Sequence, residues 1–171
     1  MIRLAKIEDV AGILEITNEV ILNSDAIYRE EPLTLEIRIA WFKDKISKKY
    51  PIWVYERDHT ICGFATYGPF RENPGYLYTV EHSLHIHKDY RGQGIARVLM
   101  NTLIDDVSKK GYKTLIGVID SKNVSSIRLH EKLGFVLSGT LQNVGFKFGH
   151  WLDACFYQLN LPGPKKDKNL S

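Results

Sequence analysis

The chain has 171 residues, of which 44% are hydrophobic and 25% charged, and these are the proportions of an ordinary globular protein. The net charge of +3 is small and evenly spread, so it does not indicate a nucleic-acid partner. The N-terminus lacks the apolar core of a signal peptide, and no apolar run approaches membrane-spanning length. Cys62 and Cys155 lie in apolar segments, so we expect buried free thiols and a soluble, cytoplasmic protein without a membrane partner.

The first half of the chain predicts two helices and three strands. Apolar residues spaced for a helix follow Glu8 and Asp9, which favour a helix N-terminus, and Thr34 is a suitable N-cap for a second helix. Alternating and β-branched residues indicate strands. The predicted elements are a strand at 2–7, helices at 8–22 and 34–49, and strands at 51–56 and 60–68.

The second half continues the alternation of strand and helix. A strand at 78–87 leads into a glycine-containing stretch, and apolar residues at four-residue steps then predict a helix that ends near Gly111. The continuously apolar run at 114–119 is typical of a strand buried on both faces. A shorter helix closed by Gly134 and strands at about 135–142 and 151–160 follow, so we expect a single mixed α/β domain over residues 1–162 and a disordered tail at 163–171.

The stretch "RGQGIA", residues 91–96, lies between a strand and a helix and predicts an anion site. Free amides at a helix start point outward, and the helix dipole adds partial positive charge there. The P-loop pattern fails because Ile95 and Ala96 stand where a lysine and a hydroxyl residue belong. The dinucleotide pattern fails because Arg97 stands where its third glycine belongs.

A third pattern, Arg-x-x-Gly-x-Ala at Arg91, Gly94 and Ala96, fits and resembles the pyrophosphate loop of the GNAT family of acetyl-CoA-dependent N-acetyltransferases. The segments "TVEHSLHIHKDYRGQGIA", "GVIDSKNVSSIRLHEKLGF" and "VGFKFGHWLDACFYQLNL" are similar to the branch that contains phosphinothricin and methionine sulfoximine N-acetyltransferases. This resemblance implies a single-domain GNAT fold, with a mixed central sheet flanked by helices, that uses acetyl-CoA and a small-molecule amine. It also implies a homodimer, for which the aromatic segment 144–160 is the expected interface.

The resemblance assigns the cofactor-binding residues. Backbone groups of the strand before the loop are expected to pair with the pantetheine arm, and the loop amides with the pyrophosphate. An asparagine and a lysine of the next helix are expected to contact the coenzyme, although an N-cap and a solvated lysine are equally ordinary roles. The predicted set is Leu84, His85, Ile86, Arg91, Gly92, Gln93, Gly94, Ile95, Ala96, Arg97, Asn123 and Lys132.

Amine acetylation needs a base, because an amino-acid amine with a pKa of roughly 8 is mostly protonated at neutral pH. The resemblance makes Glu81, in the motif "TVEHS", the general base, and the alternative is an exposed strand charge. It makes His130 the group that protonates the departing thiolate, and the alternative is a histidine packed beside Ile127 and Leu133.

An amino-acid substrate also carries a carboxylate, which a guanidinium binds well. Arg71, in the loop before the Glu81 strand, is the predicted partner, with Gly75 and Tyr76 lining the site and Tyr28 closing it from the other side. A solvated arginine is the alternative. Two other activities stay open at this point, namely a non-catalytic acetyl-CoA sensor and a protein or peptide N-acetyltransferase.

The histidines of "EHSLHIH" suggest a metal site at first sight. The two-residue period of a strand, however, puts His85 and His87 on one face and His82 on the other. Two histidines on one face lack the further ligands that zinc requires. We therefore predict no metal.

Overall fold

The computed structural model describes residues 1–164. A seven-stranded sheet runs in the order β1-β2-β3-β4-β5-β7-β6, with β4 and β5 parallel and every other pair antiparallel. The strands are β1 (Ile2–Leu4), β2 (Ile52–Arg57), β3 (Thr60–Pro69), β4 (Thr79–Ile86), β5 (Thr114–Asp120), β6 (Val136–Lys147) and β7 (His150–Asn160). The helices are α1 (Val10–Asn23), α2 (Leu35–Ser47), α3 (Ile95–Lys109) and α4 (Val124–Lys132).

Helices cover both faces of the sheet, and each face has its own core. The apolar stripes of α1 and α2 pack on the first face, where Ile13 and Phe42 meet Phe64 of β3. The stripe of α3 packs on the second face, where Leu99 and Leu103 are fully buried among residues of the central strands. This arrangement confirms the predicted mixed α/β fold and its helix assignments.

The parallel pair β4–β5 separates halfway along its length. Residues Thr79 to Glu81 pair with Thr114 to Ile116, and the pairing ends there. Both strands nevertheless continue, β4 to Ile86 and β5 to Asp120. The second half of β4 therefore pairs on one edge with β3 only, and a gap opens between the two strands.

The predicted end of β6 was wrong, whereas β7 lies at its predicted position. β6 runs to Lys147 instead of ending near residue 142, and β7 pairs with it along most of its length. Asn143, which has φ 52°, lies where the β6–β7 register shifts between Leu141 and Gly145, so a bulge absorbs residues that resemble a turn in the sequence.

The first two residues of the predicted tail lie against the domain. Gly163 is buried with Lys113 beside it, and Pro164 lies against Gly111, so these two residues of the predicted tail pack on the domain. The remainder of that tail lies outside the described residues. Cys62 and Cys155 are buried free thiols, as predicted. Within residues 1–164, no helix is both long and apolar enough to cross a bilayer.

Candidate active site

A cleft of about 910 Å³ opens where β4 and β5 separate. Its walls are the second half of β4, the end of β5, the glycine loop, the start of α4 and the segment 24–28 after α1. The predicted site residues that line it are Tyr28, Glu81, Leu84, His85, Ile86, Arg91, Gly92, Gly94, Ile95, Ala96, Arg97, Asn123 and His130. Gln93, Lys132, Arg71, Gly75 and Tyr76 do not.

The glycine loop has the backbone conformation of an anion site. Gly92 and Gly94 have φ values of 77° and 80°, in the left-handed region that favours glycine, and a Cβ on either would project into open space. Arg97 and Val98 donate to the Gly94 carbonyl, so the preceding amides of the first turn are not used by the helix. The loop therefore presents free N–H groups to the cleft at the positive end of α3.

Two polar side chains of the loop hold it in place. Arg91 forms an ion pair with Glu19 of α1 and donates from Nε to the Ile86 carbonyl at 3.3 Å. Gln93 accepts a 2.8 Å hydrogen bond from Arg57 and donates to the Asp89 carbonyl. The Gln93 side chain thus stabilises the loop through contacts outside the cleft. Only the backbone of Gln93 remains available to bind an anion.

The strand beside the loop offers backbone groups and not side chains. Leu84, His85 and Ile86 pair on one edge with Ala65, Phe64 and Gly63 of β3, and their other edge faces the gap. The His85 ring packs 5.5 Å from the Phe64 ring, and burial lowers the pKa of His85 to about 4. An extended ligand chain can therefore pair with this edge of β4 as another strand would.

Glu81 is half-buried at the point where β4 and β5 separate, opposite Ile116. Burial raises the pKa of the Glu81 carboxyl, and the positive charges of Arg71 and Lys45 oppose that rise. A carboxylate in these surroundings has a higher proton affinity than an exposed one, which suits a base that works near neutral pH.

The loop with the predicted substrate residues lies beside this carboxylate but outside the cleft wall. The Arg71 guanidinium lies 4.2 Å from the centre of the Phe70 ring and donates to the Phe70 carbonyl. Tyr76 packs edge-on against the same ring, and Gly75 is exposed. Arg71 is nevertheless close enough to influence the proton affinity of Glu81.

Tyr28 closes the cleft from the opposite side. Its hydroxyl donates to Asp120 at the end of β5 and to the Asp153 carbonyl, at 3.1 and 3.2 Å. The ring occupies the space that a side chain at Gly145 would need, because a Cβ there would lie 2.4 Å from it. The fully buried Lys147 ammonium donates to three carbonyls between Ile21 and Ile27, at 2.6, 2.5 and 2.8 Å, which anchors the segment that carries Tyr28.

His130 is 2% exposed, and its imidazole is hydrogen-bonded on both sides. Its Nδ1 lies 2.7 Å from the Ser126 carbonyl, which can only accept, and 3.4 Å from the Ser126 hydroxyl, so the shorter contact places the proton of the neutral ring on Nδ1. Burial lowers the pKa of His130, and the bond to Ser126 opposes that shift. His130 is therefore neutral at physiological pH and has its N–H on Nδ1.

Sequence reasoning missed the partner of His130. Its Nε2 lies 2.9 Å from Nε2 of His82, which also lines the cleft. Gly117 of β5 gives the pair its space, since a Cβ there would lie 2.7 Å from the His82 Nε2. A glycine inside an apolar strand indicates close approach by another group, so Gly117 was the available signal.

Asn123 and Lys132 have different positions. The Asn123 side chain accepts from the Ser126 amide as the N-cap of α4 and also lines the cleft, so the N-cap role is confirmed and the coenzyme contact stays a prediction. Lys132 is exposed at the other end of the helix. As for metal, no group of three or more His, Cys, Asp or Glu side chains within residues 1–164 is arranged to hold an ion.

A sheet that opens beside a glycine-rich anion loop defines the class of acyl-CoA-dependent acyltransferases. The sequence profile of the acetyltransferase (GNAT) family matches residues 14–135. The chain belongs to this family and is an N-acetyltransferase that uses acetyl-CoA, as the sequence motifs predicted.

Named relatives place the chain in one branch of the family. An L-amino acid N-acyltransferase from Escherichia coli is 39% identical over 94% of this chain and 93% of its own length. An L-methionine sulfoximine/L-methionine sulfone acetyltransferase from Pseudomonas aeruginosa is 42% identical over 94% of each. The structure of a phosphinothricin acetyltransferase from Sinorhizobium meliloti in complex with acetyl-CoA superimposes with a TM-score of 0.90 at 34% identity, covering 94% of this chain and 88% of that one. The chain is thus similar over most of its length to acetyltransferases that are named for amino acids, methionine sulfoximine and phosphinothricin.

Proposed function

We propose that the enzyme acetylates the α-amine of an amino acid or amino-acid analogue, and that the amine attacks the thioester of acetyl-CoA directly. The observation that carries this proposal is Glu81, a half-buried carboxylate of raised proton affinity at the point where the cofactor cleft opens. A base at that point meets an amine that approaches a thioester in the cleft. The names of the relatives, which include amino-acid, methionine sulfoximine and phosphinothricin acetyltransferases, support the substrate class.

Each wall of the cleft has a role in this mechanism. The amides after Gly92 bind the pyrophosphate, and the free edge of β4 from Leu84 to Ile86 pairs with the pantetheine arm. An amide of that edge is in place to polarise the thioester oxygen. Glu81 removes a proton from the substrate ammonium, directly or through one water, and makes the amine nucleophilic.

His130 is the proposed second catalytic residue. Its neutral ring carries one proton, on Nδ1, and this N–H would donate a hydrogen bond to the departing thiolate, which then takes its proton from water because a neutral imidazole does not give up its only proton. The thiolate must then compete with the Ser126 carbonyl for the same N–H. Because that carbonyl belongs to the first turn of α4 at the cleft wall, the proton is already held beside the cavity.

The part of the cleft around Glu81, where the amine substrate would bind, suits a zwitterion. Arg71 provides a positive charge near Glu81 for the substrate carboxylate, and Tyr28 bounds the opposite side of the cleft. Lys45 adds a second, half-buried cation near Glu81. An ammonium beside the carboxylate and an anionic group beside the cations give the substrate one preferred orientation.

We also propose that the enzyme is a homodimer through β6. β6 is the last strand of the sheet, and its outer edge has no partner strand within residues 1–164. Large apolar side chains are exposed on it and on β7, among them Phe146 at 56% and Trp151 at 62%, whose rings pack 5.0 Å apart. An apolar edge of this kind is rarely left open in a soluble monomer, and a second copy offers the same edge in return.

The substrate proposal is tested by release of free CoA from acetyl-CoA in the presence of purified enzyme. L-Methionine sulfoximine, L-methionine sulfone and phosphinothricin should each give saturable release, with the acetylated α-amine identified by mass spectrometry. Their N-methylated forms test the requirement for a primary amine, and their D-enantiomers test the requirement for the L-configuration. Turnover of peptides with no turnover of any free amino acid would instead identify a protein or peptide N-acetyltransferase.

A further inference from the structure

The pair of His82 and His130 is the part of the cleft wall to which the sequence and the proposed mechanism assign no joint role. The two Nε2 atoms lie 2.9 Å apart, the ring centres are 4.9 Å apart, and the ring planes differ by only 16°. Ring centres that far apart, with such close nitrogens and nearly parallel planes, place the imidazoles edge to edge. This is the geometry of an in-plane N–H···N hydrogen bond.

The direction of this hydrogen bond follows from the other nitrogen of His130. Its Nδ1–H donates to the Ser126 carbonyl, so the Nε2 of the neutral ring is a lone pair. His82 must therefore donate its own Nε2–H, which leaves the His82 Nδ1 without a proton. That Nδ1 is buried and has no hydrogen-bond partner within residues 1–164. The protein thus leaves one buried acceptor unsatisfied in order to keep this donor in place.

We propose that His82 is a positioning residue for His130: its Nε2–H occupies the His130 Nε2 and keeps the only N–H of that ring on Nδ1. This inference rests on the proposed role of His130 as hydrogen-bond donor to the thiolate. Without His82 the His130 proton can move to Nε2, and Nδ1 then faces the Ser126 carbonyl as a second acceptor. The ring has to turn or recruit water to relieve that repulsion, so the donor is lost from the cleft wall.

The surroundings hold the pair in register. Phe135 meets both rings edge-on, at 4.9 Å from His130 and 5.9 Å from His82. Gly117 passes directly beneath, where a methyl group would lie 2.7 Å from the His82 Nε2 and 3.1 Å from the His130 ring. The packing of Phe135 and the absence of a side chain at Gly117 thus fix the relative orientation of the two imidazole rings.

The protonation states are tested directly by long-range ¹H–¹⁵N NMR of protein labelled at histidine, at pH 7. We expect His130 as the Nδ1–H tautomer and His82 as the Nε2–H tautomer. A His130 ring protonated on Nε2 would overturn the inference. This readout does not depend on turnover, so an enzyme that acetylates no amino acid would refute the proposed function and leave the tautomer result standing.

Two substitutions of His82 separate the donor from the packing. His82→Phe keeps a flat ring without an N–H, and kcat should fall roughly tenfold to a hundredfold, the rate equivalent of one unsatisfied buried acceptor. KM for acetyl-CoA should not change. His82→Gln places an amide N–H near the Nε2 position and should restore most of kcat. Equal losses in two folded variants would mean that the ring matters only for packing.

A third substitution separates the rings while both histidines remain. Gly117→Ala puts a methyl group into the hydrogen bond and should lower kcat as His82→Phe does. Gly139→Ala on β6 is the matched control, because a Cβ there meets nothing within 4 Å, and it should be silent. If His82→Phe does not fold, this pair still decides the question: unchanged kcat in Gly117→Ala would refute the inference.

A double-mutant cycle shows whether His82 acts through His130. In a His130→Phe background, His82→Phe should cause no further loss of kcat, because the proton that it positions is absent. Losses that multiply would show that His82 acts on the reaction by a separate route and would overturn the inference.

Discussion

At the scale of single residues, burial shifts the pKa values of neighbouring β4 side chains in opposite directions, down for the histidines and up for the glutamate. It lowers the pKa of His82 to about 3 and that of His85 to about 4, and therefore keeps both rings neutral. It raises the pKa of the Glu81 carboxyl, where the charges of Arg71 and Lys45 limit the rise. The desolvated strand thus supplies neutral imidazoles for packing and hydrogen bonding and one carboxylate with a raised pKa.

These shifts predict a loss of stability in acid. The unfolded chain protonates its histidines near pH 6.5, while native His82 and His85 bind protons only near pH 3 and 4, so their contribution is complete above pH 6.5 and is lost as the pH falls. At pH 5 each costs about 2 kcal/mol of unfolding free energy. Glu81 has the opposite sign, because its raised pKa favours the protonated native state, and it offsets a part of this loss.

Urea unfolding at pH 7.5 and pH 5.0 measures the effect. The His85→Phe variant keeps an aromatic ring against Phe64 and should lose about 2 kcal/mol less than the wild type between these pH values. Identical pH dependence in the two proteins would show that His85 is not held neutral by burial.

The positions of residues in the cleft were predictable from sequence only where a local motif marks them. Glu81, in "TVE", and the loop glycines, in "RGQGIA", line the cleft as the resemblance carried by these motifs implied. The His82–His130 bond joins residues far apart in the chain, and the two-residue period indicates only the face on which His82 lies. Arg71 matched a chemical need, but the conformation of its loop is set by a contact with Phe70 that no pattern indicates.

At the scale of elements, the junction of β4 and α3 produces the proposed cofactor site. The strand opens a free edge where pairing with β5 ends, and the glycine loop turns the chain so that α3 starts beside that edge. Alternation and glycine spacing predicted both elements. They did not predict that β6 continues through a bulge, because the sequence of Asn143 and Gly145 also fits a turn, and only pairing with β7 decides between the two.

A substitution in the glycine loop tests whether this loop binds acetyl-CoA. Gly94→Val introduces a side chain where the cleft is open and changes the conformation of the free amides, so acetyl-CoA affinity should fall more than about 100-fold, which corresponds to two lost charge-assisted hydrogen bonds. Gly149→Val is the control for strain, because Gly149 has φ 76° and equal open space but lies in the β6–β7 turn. Calorimetry that finds equal affinities in both variants would remove the loop from the cofactor site.

At the scale of the whole molecule, the sheet has a core on each of its two faces. The strands at its two ends are β1 and β6. The sequence predicted the layer structure well, since each helix has one apolar stripe and the central strands are apolar on both faces. It did not show which strand ends the sheet, because strand order depends on long-range pairing. The exposed apolar side chains of β6 indicate an interface only once β6 is known to be the last strand of the sheet.

The proposed dimer is tested by light scattering at micromolar concentration. The wild type should have twice the mass of the 19.6 kDa chain, and Phe146→Arg or Trp151→Arg should reduce it to that of the monomer by placing charge in the interface. Leu4→Arg is the matched control, since Leu4 is 52% exposed on β1 at the opposite end of the sheet, and this variant should stay dimeric. A monomeric wild type would contradict the proposal.

The most direct test of the mechanism is the turnover of Glu81→Gln. Glutamine keeps the size of the side chain and its hydrogen bonding but cannot accept a proton at neutral pH. At pH 7, kcat should fall by roughly two to four orders of magnitude, the usual contribution of a positioned base, while acetyl-CoA affinity by calorimetry stays unchanged. The residual rate should rise with pH as the substrate amine deprotonates in solution. Wild-type turnover at pH 7, or loss of acetyl-CoA binding together with activity, would contradict the role of Glu81 as the base.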